Sequence, residues 1–262
     1  MKIGVSTWSL LGQDVISAVR AIGEAGFEYV ELWGEVPHAY PDWVDRQRLK
    51  DALSPYGMLV TTHAPFTDLN PANPFEPVKG AVGRTLEGFV EFSDFLGAKV
   101  VTVHPGSVHN DVLVPGSTAT SLSILKKMVA AAGGRLSVSV ENQTKSSSKY
   151  HYPLASTPQS VEALFSGEDR LKFTLDTGHA HASGLDPIEL ARNAGPRLVE
   201  VHLSDNLGEY DDHLVPGEGT ADLKKLVATL AGSHVLICLE LNPHRYTPDQ
   251  VLQASSSFKS SV

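Results

Sequence analysis

Cysteine is almost missing from this chain. Cys238 is the only one in 262 residues, so no intrachain disulfide is possible. It lies in the apolar run HVLICLELN, which reads as a strand interior and makes it a small buried hydrophobe rather than a reactive thiol. Long hydrophobic runs are missing too. No stretch approaches the ~18 uninterrupted apolar residues of a membrane-spanning helix, although hydrophobic residues make up 42% of the chain and suffice for a sizeable core. The segment MKIGVSTWSL has one Lys and then a strand-like pattern, without the apolar stretch and small-residue cleavage site of a secretion signal. The expectation is a cytoplasmic protein with no membrane contact. Positive charge is in deficit: 21 Lys and Arg against 30 Asp and Glu leave a formal net charge of −9. That weighs mildly against a broad basic nucleic-acid footprint, though bound metal ions would add charge that a residue count omits. A glycine-rich phosphate loop is also lacking. After the first strand-like run the sequence reads STWSLLGQD, with no GxGxxG.

What the chain does have is a regular alternation. Eight short runs read as strands: KIGVSTW, FEYVELW, MLVTTHA, AKVVTVH, LSVSVEN, KFTLDTG, LVEVHLS and HVLICLEL. Several are nearly continuous in apolar residues, as parallel strands buried on both faces must be. Helical patterns separate them. DVISAVRAIGEAG places Val15, Ala18, Val19 and Ile22 on one face and reaches Gly26 as a candidate C-cap. RTLEGFVEFSDFLGA, SLSILKKMVAAAGG, ADLKKLVATLAGS and TPDQVLQASSSF follow, the last with Pro248 where N1 would fall. Eight β/α units in a chain of this length predict a (β/α)8 barrel; an open doubly wound sheet is the alternative. No domain boundary is visible, so residues 1–262 are expected to form one barrel. Residues 65–80 and 204–220 read as long loops after the third and seventh strands. The polar segment TKSSSKYHYPLAS follows the fifth. Loops on that face of a barrel carry function.

Five histidines and four carboxylates sit at or just after the ends of these runs: His63, His104, Glu141, Asp176, His179, His202, Asp211, His213 and Glu240. Strands converge in space, so such residues can meet although they are far apart in sequence. Imidazole nitrogen and carboxylate oxygen suit zinc and manganese, and one ion needs about four ligands. Nine candidates therefore point to two or three ions. Each has a plainer reading. A lone histidine at a strand end can be a hydrogen-bonded structural residue, and Asp211, Asp212 and His213 can be an ordinary acidic loop. Glu141 in SVEN and Glu240 in VLICLE need partners, because a buried lone carboxylate costs several kcal/mol, about 2–7 for a neutral polar group and more for a charge. An Arg or Lys would serve, but none stands at the other strand ends. In LDTGHAHASG, Asp176 and His179 reach one cavity across a turn containing Gly178, while His181 faces solvent or backs a ligand. Asp205 is a further candidate ligand or supporting carboxylate. Trp33 and Phe66, in loops after strands two and three, either cap the core or wall a sugar ring or base. Glu31 is expected to bind substrate hydroxyls. His38, His109, His151, His234 and His244 have no assigned role.

The motifs HAPF-x-DLN, VHPGS, VEN, LDTGHAHASG, VHLSDN, D-x-H-x3-GEG and LEL, taken in order, resemble those of the xylose isomerase-like TIM barrels. That superfamily holds endonuclease IV and many sugar isomerases and epimerases, and the resemblance runs from the first strand to the eighth. It implies two functions. Endonuclease IV holds three zinc ions, and every ligand type has a match among the nine residues. In the epimerase and isomerase branches a smaller set matching Glu141, Asp176, His202 and Glu240 holds one or two ions, and the two glutamates exchange a proton with the substrate carbon. The loop after the second strand, WGEVPHAYPDW, lacks the Arg of the DNA repair enzymes. The favoured expectation is thus a zinc- or manganese-dependent isomerase or epimerase of a sugar or sugar phosphate. In that reading Glu141 and Glu240 are catalytic and Glu31, Trp33 and Phe66 meet the substrate. The alternative is an endonuclease IV-type zinc phosphodiester hydrolase acting on abasic DNA. A non-catalytic metal-binding barrel is the third class.

Overall fold

The computed structural model describes residues 1–262. Eight parallel strands close into a barrel: β1 (Lys2–Ser6), β2 (Tyr29–Trp33), β3 (Leu59–His63), β4 (Val100–Val103), β5 (Ser137–Glu141), β6 (Lys172–Asp176), β7 (Leu198–Leu203) and β8 (Leu236–Leu239). Each pairs with its sequence neighbours, and β1 closes the ring against β8 from Lys2↔Leu236 to Val5↔Leu239. All eight coincide with the strand-like runs of the sequence, and the open sheet is excluded. The helices are α1 (Val15–Glu24), α2 (Arg46–Leu53), α3 (Glu76–Leu96), α4 (Val114–Ala132), α5 (Pro158–Phe165), α6 (Thr177–Ala182), α7 (Pro187–Ala194), α8 (Leu223–Leu230) and α9 (Pro248–Lys259). No helix is long and apolar enough to cross a membrane.

Side chains alternate across a strand, and here the two faces have different chemistry. Outward positions such as Val30, Leu32, Val60, Val101, Val103, Val138, Val140, Leu175, Val201 and Ile237 join a core of 58 buried residues between barrel and helices. Fully burying one such side chain contributes about 1.5–3 kcal/mol. Inward positions are polar, and they stack in two layers two residues apart. The upper layer holds Glu31, His63, Glu141, Asp176, His202 and Glu240. The lower layer holds Tyr29, Thr61, Ser139, Thr174, Glu200 and Cys238, each two residues earlier in the same strand. Thr102 of β4 lies in the lower layer, two residues before His104.

The lower layer is a closed hydrogen-bond network around Glu200, a fully buried carboxylate. Tyr29 Oη donates to Glu200 Oε1. Thr61 Oγ1 donates to the same oxygen at 2.8 Å and Thr102 Oγ1 to Oε2 at 2.9 Å. Thr174 links Thr102 at 2.9 Å and Ser139 at 2.7 Å. A buried polar group is tolerated when it is satisfied in this way, so the barrel floor is polar yet has its partners. Gly4 makes room for it, since a Cβ there would run into the Tyr29 ring and carbonyl.

Several local expectations need correction. α3 begins at Glu76, inside the segment expected as loop, because Pro77 occupies the first turn, where its missing N–H costs nothing. α4 likewise starts at Val114, ahead of its apolar stripe. The end of α1 is as expected: Gly26, with φ 77°, closes the helix in the left-handed conformation as Phe27 N donates to Ile22 O at 3.3 Å. The segment between Asp176 and His179 is a short helix rather than a turn. Trp33 ends β2 rather than lying in the loop beyond it. The polar segment after β5 contains Tyr152–Pro153, which pairs antiparallel with Ser107–Val108.

Candidate metal centre at the mouth of the barrel

All nine sequence-predicted donors meet at the C-terminal ends of the strands. Glu141 is the hub of one half. His63 Nε2 and His104 Nε2 lie 3.0 and 2.9 Å from its Oε2. His179 Nδ1 and His202 Nδ1 lie 3.4 and 3.5 Å from its Oε1. Asp211 joins the other half, with His213 Nε2 at 3.0 Å and His179 Nε2 at 3.2 Å from its Oδ2. Glu240 Oε2 lies 3.4 Å from His202 Nδ1. No Arg or Lys enters this cluster, so the plain ion-pair reading of the two glutamates fails and imidazoles take that place.

The backbone explains how these side chains are aimed. Asp176 is the N-cap of α6, its Oδ1 accepting from His179 N at 2.6 Å, which sets the three-residue spacing of the motif. Asn142 locks β5 to β6 by accepting from Asp176 N at 2.8 Å and donating to Asp176 O at 3.0 Å. Asp205 is not a ligand. It is fully buried and accepts backbone N–H bonds from Asn206, Gly217 and Ala221 at 2.9, 2.8 and 3.1 Å. It thereby folds the loop that presents Asp211 and His213. Gly217 has φ 97°, a backbone state that side chains disfavour.

The histidines share a pattern. His63 Nδ1 donates to Ala64 O at 2.8 Å, His179 Nδ1 to Asn142 O at 2.8 Å and His213 Nδ1 to Glu240 O at 2.9 Å. His202 Nε2 donates to Glu31 Oε2 at 2.9 Å. A carbonyl or carboxylate oxygen can only accept, so each ring has one nitrogen committed as donor, and its other nitrogen faces the carboxylates of the cluster. That is how metal-binding histidines are held.

Glu31 is therefore misplaced in the expectation that it binds substrate hydroxyls. It is fully buried, its carboxylate is taken up by His202 Nε2, and it does not line the cavity above the cluster. His181 bonds Thr220 Oγ1 at 2.8 Å and backs the loop rather than the cluster. His38 is buried against Gln13 O.

The donor set fits a divalent ion. His202 Nδ1, Asp176 Oδ2 and Asp211 Oδ1 are buried without a hydrogen-bond partner, a state that costs free energy unless something binds them. Donor atoms of Asp176, His202 and Glu240 all lie within 4.8 Å of one another. The same holds for His63, Glu141 and His202, and for Glu141, Asp176 and His179. An ion with ligands at about 2.0–2.2 Å spans such a group, and a nitrogen–oxygen set suits zinc or manganese. The clustered groups also set one another's ionisation. Burial pushes the Glu240 carboxyl up to about 8, beyond what nearby His202 restores. Burial also works against charge on Asp211, yet the His213 and His179 rings outweigh it and hold its carboxyl well below the usual range. For His213 the Asp211 carboxylate overcomes burial and lifts the ring to about 9.

A cavity of about 220 Å³ opens over the cluster. Its walls include Trp33 and Phe66, and Trp8, which sequence reasoning missed. Phe66 stacks on His104 with ring centres 4.4 Å apart, and Trp8 packs on His213 at 4.6 Å. Neither Trp33 nor Phe66 belongs to the core.

Known proteins show the same architecture. Over residues 19–260 the chain matches the model of the xylose isomerase-like TIM barrel family. It is 29% identical over 237 residues to the uncharacterized protein MJ1311 of Methanocaldococcus jannaschii, covering 88% of this chain and 79% of that one. It is 26% identical over 252 residues to the uncharacterized protein Rv0498 of Mycobacterium tuberculosis, covering 89% and 85%. Among solved structures, a D-tagatose 3-epimerase-like protein superposes with a TM-score of 0.86 at 26% identity, over 99% of this chain and 96% of that one. The 3-keto-D-glucoside 4-epimerase YcjR from E. coli superposes at 0.81 and 18% identity over the whole of both chains. The closed barrel, the ordered motifs and a family match spanning nearly the full sequence agree, and this chain belongs to the xylose isomerase-like TIM barrel family.

Proposed function

We propose that this protein is a divalent-metal-dependent sugar epimerase or isomerase, with zinc or manganese held by Glu141, Asp176, His202 and Glu240. One observation carries the reading. His202, fixed by Glu31, turns an unpartnered Nδ1 toward Asp176 and Glu240, whose donor atoms lie within 4.8 Å of it and of each other. Glu141 and Glu240 flank that nitrogen at 3.5 and 3.4 Å. The structural neighbours, an epimerase-like protein and an epimerase, support the same class.

A divalent ion there supplies Lewis-acid polarisation of a substrate carbonyl and an adjacent hydroxyl. The protein moves the proton. One of Glu141 and Glu240 removes the proton from the carbon beside the carbonyl, and the C–H electron pair moves into the substrate as an enediolate. The other glutamate returns one proton to the opposite face of that carbon, which completes epimerisation with no net change in atoms. Each carboxylate has two oxygens, so a ligand can also serve as a proton carrier. Asp176 and His202 hold position, and Trp8, Trp33 and Phe66 wall the sugar ring and exclude water.

The test is turnover of a ketose panel by manganese- or zinc-loaded protein, with epimers resolved by chromatography. Glu240→Gln and Glu141→Gln are each expected to lower kcat at least 100-fold. Undiminished turnover in both would overturn the assignment.

A second reading has its own support. All nine donors are assembled, including His63, His104 and the His179–Asp211–His213 group, which the four-ligand reading leaves without a task. Three ions in such a set suit a phosphodiester hydrolase. Cleavage of abasic DNA by the zinc-loaded protein, with no epimer formed from any ketose, would establish that reading in place of the first.

A further inference from the structure

The cavity over the metal centre does not end there. Past Phe66, His104 and His179 it continues into a second lobe of about 530 Å³, which shares those three residues with the first. A third lobe of about 470 Å³ shares Asn70, Ser107 and His151 with the second. The inner lobe alone, about 220 Å³, is smaller than the ~300–1,000 Å³ of usual ligand sites. It suits one small ring.

The outer lobes are built from loops that are tied to each other. Asn70, after β3, accepts from Ser107 N at 3.1 Å and donates to Ser107 O at 2.8 Å, after β4. Leu154, after β5, donates to Gly106 O at 2.9 Å. The antiparallel pairing of Ser107–Val108 with Tyr152–Pro153 completes the link. A wall fixed by hydrogen bonds from three loops can present a defined surface to a ligand.

Its chemistry is selective. No Lys or Arg lines any of the three lobes, and Asp68 is the one carboxylate in the outer two. A phosphate or carboxylate tail would find no guanidinium or ammonium there, and His109 and His151 are the imidazoles of the outer lobes that lie outside the metal centre. Neutral hydrogen-bonding groups are present instead: Ser107, Gln143 and Thr144, with Gln143 Nε2 buried and unpartnered. At the far end Phe75 and Tyr150 line the third lobe and are 68% and 80% exposed. Flat aromatic faces beside neutral polar groups match the alternating C–H and hydroxyl surfaces of a sugar ring.

We propose that the substrate is a neutral glycoside of at least two rings. Its ketone-bearing unit occupies the inner lobe, and its second ring lies along the wall formed by Asn70, Ser107, Gln143 and Thr144. This rests on the epimerase reading of the same site and narrows it away from sugar phosphates and free monosaccharides.

The experiment uses manganese-loaded protein. Calorimetry compares fructose, fructose 6-phosphate and two ketose-terminated disaccharides, maltulose and isomaltulose, and solvent deuterium uptake into each is followed by NMR. At least one disaccharide is expected to bind tenfold or more tightly than fructose, with fructose 6-phosphate no tighter than fructose. Thr144→Trp, which fills the second lobe, is expected to cut the disaccharide-to-fructose affinity ratio to threefold or less. Equal binding of fructose and both disaccharides, or tighter binding of the phosphate, overturns the glycoside inference while leaving the epimerase reading in place. Silence toward every sugar, in binding and in deuterium uptake, overturns the epimerase reading and the glycoside inference with it.

Discussion

Glu31→Gln separates a metal site from a fortuitous cluster. Glu31 and His202 are both fully buried, and the His202 Nε2–H donates to Glu31 Oε2 across 2.9 Å. Gln keeps the shape and can still accept that hydrogen bond, so the ring stays in place. What is lost is the charge. A hydrogen bond to a charged partner is worth about 1.5–3 kcal/mol against about 0.5–1.5 for a neutral one. The loss of about 1–2 kcal/mol falls on the ion-bound state, where His202 must be most basic. At about 1.4 kcal/mol per tenfold, zinc should bind roughly 5–30-fold more weakly, within the range seen for partners of ligating histidines. The assay is competition for zinc against a chromophoric chelator, with circular dichroism to confirm the fold. A folded Glu31→Gln protein whose zinc affinity lies within twofold of the parent would refute the role given to His202.

Other perturbations have definite outcomes. His63→Ala removes one of the two imidazoles on Glu141 Oε2 and leaves His104 at 2.9 Å. It should lower epimerase kcat by about tenfold, the worth of one hydrogen bond, whereas a loss beyond 1,000-fold would favour the hydrolase reading. Asp205→Ala leaves three backbone N–H groups without their acceptor and should destabilise the fold by at least about 2 kcal/mol in urea titration. An unchanged midpoint would mean the loop does not depend on it. Cys238 is fully buried, and burial pushes its thiol well above the ordinary range, so no thiolate forms near pH 8. Ellman's reagent should find no thiol in the native protein and one per chain in guanidinium; rapid native labelling would contradict this packing.

The barrel was legible because its code is short-range. A β-branched run ending in His, Glu or Asp states both a strand and which end of it carries chemistry, and the eight runs coincide with the eight strands. The nine side chains that cluster at the barrel mouth were legible for the same reason. Layers across the barrel were not. Glu200 reads as one acid in LVEVHLS, and only closure of the ring brings Tyr29, Thr61 and Thr102 onto it. Glu31 was misjudged because a strand's period shows that it faces inward but not that His202 covers it. A signal was available: Glu31 sits two residues after Tyr29, in phase with the other ligand strands. The short helices α6 and α7 depend on caps rather than periodicity. Asp176 and Asp186 supply them, and Pro187 after Asp186 was a readable start. Trp8 and His151 reach their cavities through the packing of loops, for which no local pattern exists.

The most direct test of proton transfer between Glu141 and Glu240 is solvent deuterium wash-in. Metal-loaded protein is incubated with a ketose-containing substrate in D2O, and the carbon next to the carbonyl is followed by proton NMR. The account predicts loss of one C–H signal as the epimer forms, and no deuterated epimer in Glu240→Gln. Epimer that keeps its original hydrogen, or deuterated epimer that forms undiminished in Glu240→Gln, would contradict it.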